Sequence, residues 1–290
     1  MTSQQRSFAL IGILSIISGS LGVVNKIGVQ EIPPLGFVAS RVILSFIFIS
    51  PYLFKINKSL SIRKIKLLVF SLFATLNIGF YIIGIKHTNV SIAVVLASAI
   101  PAFTAIISYF LYHEKINPKK GIGILLGLLG SGIVALSPLI GTSYTQLGSL
   151  YGNFFIILSV ITFSFHTALS KKAQRQFSPI NITAAFIVVA TILLTPLAII
   201  EMQFTGNWLL HLSWVSIGSM LYVSLIGTIL FYFLYQKAVK NTSPVIASMM
   251  LYLTPIVGIF LAVLVLGETL TFPLILGSIV SLLGIWLVTG

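Results

Sequence analysis

The chain has 290 residues, of which 57% are hydrophobic and only 7% charged. Ordinary soluble domains carry about 25% charged residues, so a surface that faces water throughout is excluded for a chain of this length. The net charge of +13 does not indicate nucleic acid, because the basic residues are spread over short connections between apolar runs.

The runs place ten helical spans near residues 8–28, 34–54, 66–86, 89–111, 119–139, 146–170, 179–200, 212–236, 242–266 and 272–289. Each exceeds the roughly 9–11 residues of a membrane β-strand. Irregular backbone facing lipid would leave amides unpaired, so helices remain. The expected fold class is an all-α membrane protein in a cell (inner) membrane. No small-x-small cleavage site follows the first run, which reads as a span and not a removed signal. With no cysteine, disulfides and thiolate sites are excluded.

The stretch 93–134 returns 154 positions later. Ala93, Pro101, Glu114, Gly123, Leu128, Leu129, Gly130 and Val134 fall on Ala247, Pro255, Glu268, Gly277, Leu282, Leu283, Gly284 and Val288. Upstream, Tyr81 and Lys86 meet Tyr235 and Lys240. The chain therefore reads as two repeats of five spans each, 8–139 and 146–289. With the N-terminus cytoplasmic, basic residues favour that side by 14 to 2, with Arg41 inside the second span. This bias puts both termini in the cytoplasm. An odd number of spans per repeat makes the two halves inverted, a recurring plan of secondary transporters whose substrate binds near the midplane.

Residues 266–270 read Leu-Gly-Glu-Thr-Leu and are followed by Gly277 and Gly284. The first copy has Tyr112-His113-Glu114-Lys115 with Gly123 and Gly130. The front of the unit has Asn25-Lys26, Pro34 and Ser40-Arg41. Ser170-Lys171 and Pro179 repeat that spacing, and Phe186 stands in the place of Arg41. In these features the chain resembles the EamA-type family of the drug/metabolite transporter superfamily, as two domains covering nearly its whole length. The resemblance implies a carrier with a cavity lined by spans one, three, four, six, eight and nine. Family members move amino acids, other metabolites, nucleotide sugars or drugs, and export is their more frequent direction.

The polar residues inside the spans are the candidate binding groups. Asn77 lies near the middle of the third span, with Tyr81 one turn later on the same face. His166 shares a helical stripe with Ser159, Thr162 and Ser170, and such a stripe faces the bundle interior. It reads either as a wall of the substrate path or as an interhelical hydrogen bond. Ser98, Tyr252 and Thr254, with Ser18, Tyr222, Ser224 and Thr228, lie at similar depth. Amides and hydroxyls of this kind suit a neutral or zwitterionic solute, an amino acid first, with aromatics covering its apolar part.

Pro101 and Pro255 sit at matching depth and are expected to kink their spans and to serve a hinge or cavity. Glu114 and Glu268 precede helix starts and read as structural turns that meet free amide groups there. Arg41 reads as structural, because the second repeat lacks it. The small-residue faces of Gly123, Gly127 and Gly130, and of Gly277, Ser281 and Gly284, permit close helix approach, within a monomer or in a homodimer.

There is no Asp, and no Glu falls near the middle of a span. A membrane-embedded enzyme would need a paired acid and base or a metal set there, so no catalytic residue, metal or cofactor is expected. The absent mid-span carboxylate also disfavours the cation/proton exchange of small multidrug exporters. Nucleotide sugars would call for several Lys or Arg in the cavity, and a channel would show flux that never saturates.

Overall fold

The computed structural model describes residues 3–53, 62–113, 115–139, 148–241 and 250–289. Glu114 and residues 242–249 lie outside these, as does the side chain of Tyr252. No strand occurs among the described residues. The helices are α1 (Ser3–Glu31), α2 (Pro34–Leu53), α3 (Ile62–His87), α4 (Val90–Ala97), α5 (Ile100–Tyr112) and α6 (Pro118–Ala135) in the first half. The second half holds α7 (Leu150–Ala173), α8 (Pro179–Thr205), α9 (Trp214–Tyr222), a π-helical stretch (Val223–Leu230), α10 (Phe231–Asn241), α11 (Met250–Leu266) and α12 (Phe272–Thr289).

Among the described residues, eight segments are long and apolar enough to cross a membrane, counting α4 with α5 as one and α9 through α10 as another. The last two of the ten expected spans are represented by the shorter apolar helices Leu253–Leu266 and Phe272–Val288. Local chemistry sets several helix starts. Asn117 accepts the Lys120 amide (2.8 Å) ahead of Pro118, and Ser149 and Ser213 cap α7 and α9 in the same way. Gly267, at φ 66°, takes the left-handed conformation that ends α11.

The helices pair in a regular pattern. α1 packs on α11, and α7 packs on α4 and α5. α3 packs on α7, and α1 packs on α9 and α10. α2 pairs with α8, and α6 with α12. Exchanging the halves converts the first pairing into the second and the third into the fourth. It maps the last two onto themselves.

The two copies differ at the prolines. The fourth span breaks at Ser98–Ala99, where the amides of both residues bond three residues back, and Pro101 then lies in the first turn of α5. Pro101 thus restarts a helix instead of kinking one. The equivalent residues 252–253 stay helical, and Pro255 sits inside α11. Proline lacks the amide that would reach the carbonyl four residues back. Those carbonyls belong to Ala97 and Leu251, which correspond at the same offset of 154.

α6 and α12 meet through their glycines. A methyl group on Gly130 would stand 2.5 Å from the Ser281 nitrogen and 2.6 Å from the Gly277 carbonyl oxygen. One on Gly123 would stand 2.7 Å from the Gly284 carbonyl oxygen. The small faces are therefore used within the chain. Gly130→Ala should force the helices apart and cost about 1–3 kcal/mol. Thermal unfolding in detergent should show its midpoint several degrees lower, whereas Gly132→Ala, with nothing within 4 Å, should leave the midpoint in place.

Candidate functional site

A cavity opens between the halves. α1 contributes Ser18, Leu21 and Asn25; α2 contributes Arg41; α3 contributes Asn77, Ile78 and Tyr81. α4 and α5 supply Ala97 and Ile100 on either side of the break. The second half adds Ser159 and Phe163 from α7, Gly227 from the π-helical stretch, Phe231 and Tyr232 from α10, and Leu251 and Thr254 from α11. Spans one, three, four, six, eight and nine meet here as the resemblance implied, and span two joins them through Arg41.

Asn77 joins three spans at the cavity wall. Its amide nitrogen donates to the Ser159 hydroxyl (2.8 Å) and carbonyl (3.0 Å), and its oxygen accepts from the Tyr232 hydroxyl (3.0 Å). Behind Tyr232 lies the ring of Phe186, 4.4 Å away between centroids. Arg41, with only 3% of its surface exposed, donates from Nε to the Thr228 hydroxyl (2.6 Å) and from Nη2 to the Gly227 carbonyl (3.0 Å). One turn on, Ser45 donates to the Ser224 carbonyl (3.0 Å). α2 is thereby fastened to the π-helical stretch, a local widening that recurs at functional sites.

Asn77, Tyr81 and Thr254 line the cavity. The Tyr81 hydroxyl has no hydrogen-bond partner among the described residues, and the Thr254 hydroxyl bonds back to Met250 (3.0 Å). Ser98 and Thr162 are not on the wall. Ser98 donates to Val95 at the end of α4, and Thr162 to the carbonyls of Leu158 and Ser159, so each satisfies its hydroxyl on its own helix. Pro101 and Pro255 are also off the wall, but Ala97 and Leu251, whose carbonyls they leave without a returning amide, are on it.

His166 departs most from expectation. It is 1% exposed and stands behind the wall, with the cavity-lining rings of Phe163 and Tyr232 in front of it at 6.0 Å each. Phe70 stacks on it at 4.6 Å. Its Nε2 accepts from the Gln236 amide (2.9 Å), which also donates to Ser170 (3.0 Å), while Gln174 donates to the Gln236 oxygen (2.6 Å). The interhelical reading of His166 is thus the one its geometry fits. Thr228, Tyr232 and Gln236 form a polar stripe at every fourth residue of the eighth span. That stripe was visible in the sequence, yet only Thr228 was drawn from it. Asn25 and Arg41 were also missed as wall residues. Nothing in the sequence signals the π-helical stretch.

Glu268 does not cap the helix that follows it. Its carboxylate accepts the amides of Val90 (2.7 Å) and Ser91 (2.9 Å) at the start of α4. Glu201 accepts the Gly36 amide (2.8 Å) in the first turn of α2. Glu31 accepts the Ser216 hydroxyl (2.6 Å) and the Ser213 amide (3.4 Å) at the start of α9. All three contacts join one half to the other at one end of the bundle. There Lys26 also donates to the last carbonyls of α3, and Lys86 to Val29.

The profile of the EamA-like transporter family matches residues 6–136 and again residues 150–290. The uncharacterized transporter YoaV of Bacillus subtilis is 25% identical over 287 residues, covering 97% of this chain and 96% of its own. The uncharacterized inner membrane transporter YedA of Escherichia coli is 26% identical over 270 residues, covering 91% of this chain and 84% of its own. A crystal structure with 16% identity superposes with a TM-score of 0.62 over 97% of this chain and 95% of that one, a likeness of fold.

The placement of Asn77 and His166 separates their roles. Asn77→Ala opens the junction of α3, α7 and α10 at the wall, and should lower the uptake of a transported solute at least about tenfold while the protein still reaches the membrane. His166→Ala should lower the unfolding temperature and leave the half-saturating solute concentration as it is. Uptake kinetics and thermal unfolding on the same two variants check both.

Proposed function

The chain belongs to the EamA-like transporter family, and from that premise we propose that it is a secondary transporter that moves a small neutral or zwitterionic metabolite by alternating access. Amino acids are the first class to test, and export the first direction. The proposed architecture is ten spans in two inverted halves, with both termini in the cytoplasm. The loop charge bias and the exchange symmetry of the helix pairings support this arrangement.

One observation carries the reading. Corresponding positions of the two repeats line one cavity. Asn77 and Phe231, Ala97 and Leu251, and Ile100 and Thr254 are each separated by 154 residues, and all six line it. A cavity walled by both halves at their interface is where a rocking motion changes access from one side to the other. Its mixed wall of amides, hydroxyls and rings suits a small amphipathic solute.

The test is solute counterflow in proteoliposomes preloaded with a mixture of amino acids and other small metabolites. A carrier of this kind should show saturable uptake that is accelerated by internal solute. Uptake that rises linearly with concentration would mean a channel, and no uptake of any amino acid would remove that cargo class.

A further inference from the structure

We propose that Arg41 is the cargo-binding cation of the cavity, so that the transported solute must carry a carboxylate and need not carry an ammonium group. This rests on the transporter reading above and narrows it. Arg41 is 3% exposed and lines the cavity, yet both of its hydrogen bonds go to neutral oxygens. A guanidinium has five N–H donors, and a buried charge is strongly unfavourable until it is paired. Among the described residues no carboxylate lines the cavity, and Glu31, Glu201 and Glu268 are engaged at the end of the bundle. The counter-charge is therefore left to the occupant.

Two further groups on the same wall have hydrogen-bonding capacity to spare. Asn25 is 1% exposed, and its Oδ1 has no partner; as an acceptor it meets a donor group of the cargo and not the carboxylate itself. The Tyr81 hydroxyl is free among the described residues. The three groups converge on one stretch of α1. Arg41 Nη2 lies 3.5 Å from where a Cβ on Gly227 would stand, and that position abuts Leu21. The Tyr81 hydroxyl lies 3.4 Å from the Cβ position of Gly22, and Asn25 is one turn further on. A planar carboxylate fits the guanidinium fork and can also accept from the tyrosine hydroxyl. Ile78, Ile100, Phe163 and Phe231 leave an apolar wall for the rest of the molecule. Among the described residues the wall offers an ammonium group no anionic partner, only the neutral Asn25 Oδ1.

The experiment measures ligand-induced shifts of the unfolding temperature for the purified protein with four probes. These are L-leucine, its deaminated acid 4-methyl-2-oxopentanoate, L-leucinamide and inorganic phosphate. A ligand that binds the native state raises its stability. Leucine and the oxo acid should both raise the temperature, and leucinamide should not. Arg41→Gln should weaken the response to both acids roughly 10- to 100-fold, with Arg41→Lys in between. The ligand series on the unaltered protein decides the matter if Arg41→Gln does not fold. A response to leucinamide equal to that of leucine, a response to phosphate alone, or none at all would overturn the proposal. Saturable counterflow of an uncharged or cationic solute would overturn it too, and would leave the transporter reading intact.

The opposite resource of the chain, its few carboxylates, carries an independent proposal. We infer that Glu31, Glu201 and Glu268 form a gate that shuts the bundle end at which α1 and α3 finish. Each binds amide or hydroxyl donors in the first turn of a helix from the other half, and opening that end to the cavity must break these contacts. The chain has no cysteine, so Ser18→Cys on the cavity wall provides one reporter for a membrane-impermeant maleimide. Replacing the three glutamates by Gln keeps an acceptor and removes the charge. Labelling should then rise several-fold from one side only, measured in whole cells and in inverted vesicles, and by the topology above that side is the outer one. If the triple variant is not produced, Glu268→Gln alone should move labelling in the same direction. Unchanged labelling, or an equal rise from both sides, would overturn the gate.

Discussion

The interior is arranged around one buried cation. A guanidinium in an apolar bundle needs oxygen partners, and regular helices keep their carbonyls in their own ladders. The eighth span meets this need by widening into a π-helical stretch, where the Gly227 carbonyl and the Thr228 hydroxyl turn to Arg41. The same stretch sets Phe231 and Tyr232 on the cavity wall one turn later. Tyr232 then holds Asn77, and Asn77 holds α7 through Ser159. Four spans thus owe their placement around the cavity to the partnering of one charge. These contacts place Arg41 but leave its charge unmatched.

Composition and periodicity made the membrane class, the helical spans and the repeat legible, because lipid allows few backbone solutions and each is written in long apolar runs. Asn77 and Tyr81 were legible as wall residues for a related reason. A costly polar group in mid-span needs an interior position, and here the interior is a cavity. His166 satisfies the same rule by a different route. Gln236, far from it in sequence, donates to its Nε2 behind the wall, while its Nδ1 has no partner among the described residues. A single sequence does not distinguish a polar group that faces a cavity from one that faces another polar group. Arg41 reads as structural because the second repeat lacks it, and its bonds to Thr228 and Gly227 agree with that; its place on the cavity wall is what the sequence left out.

The carboxylates illustrate a further limit. A glutamate just before a helix start suggests a cap for that helix. Glu268 instead reaches the first turn of α4, because the loop between α11 and α12 folds over it. Local sequence supplies the charge and the reach, but which helix end lies nearby is decided by packing between the halves. The three acidic contacts lie at one end of the bundle, apart from the cavity, whose described wall holds no carboxylate.

The two repeats therefore divide their labour by position. Where sequence is kept, as at the glycines of α6 and α12 and at Pro101 and Pro255, the residues shape the backbone of both halves. Where sequence diverges, chemistry enters. The position that is Arg41 in one half is Phe186 in the other, and Phe186 is spent on supporting Tyr232 from behind. Asn25 faces the cavity with an unpartnered oxygen, whereas its counterpart Ser170 is closed into the His166 network. Asn77 faces Phe231. Elsewhere the exchange runs the other way, with Ile78 and Ile100 in the first half answered by Tyr232 and Thr254 in the second. Polar and apolar residues thus come from both halves, and the wall departs from two-fold symmetry most at Arg41, where the second half has Phe186.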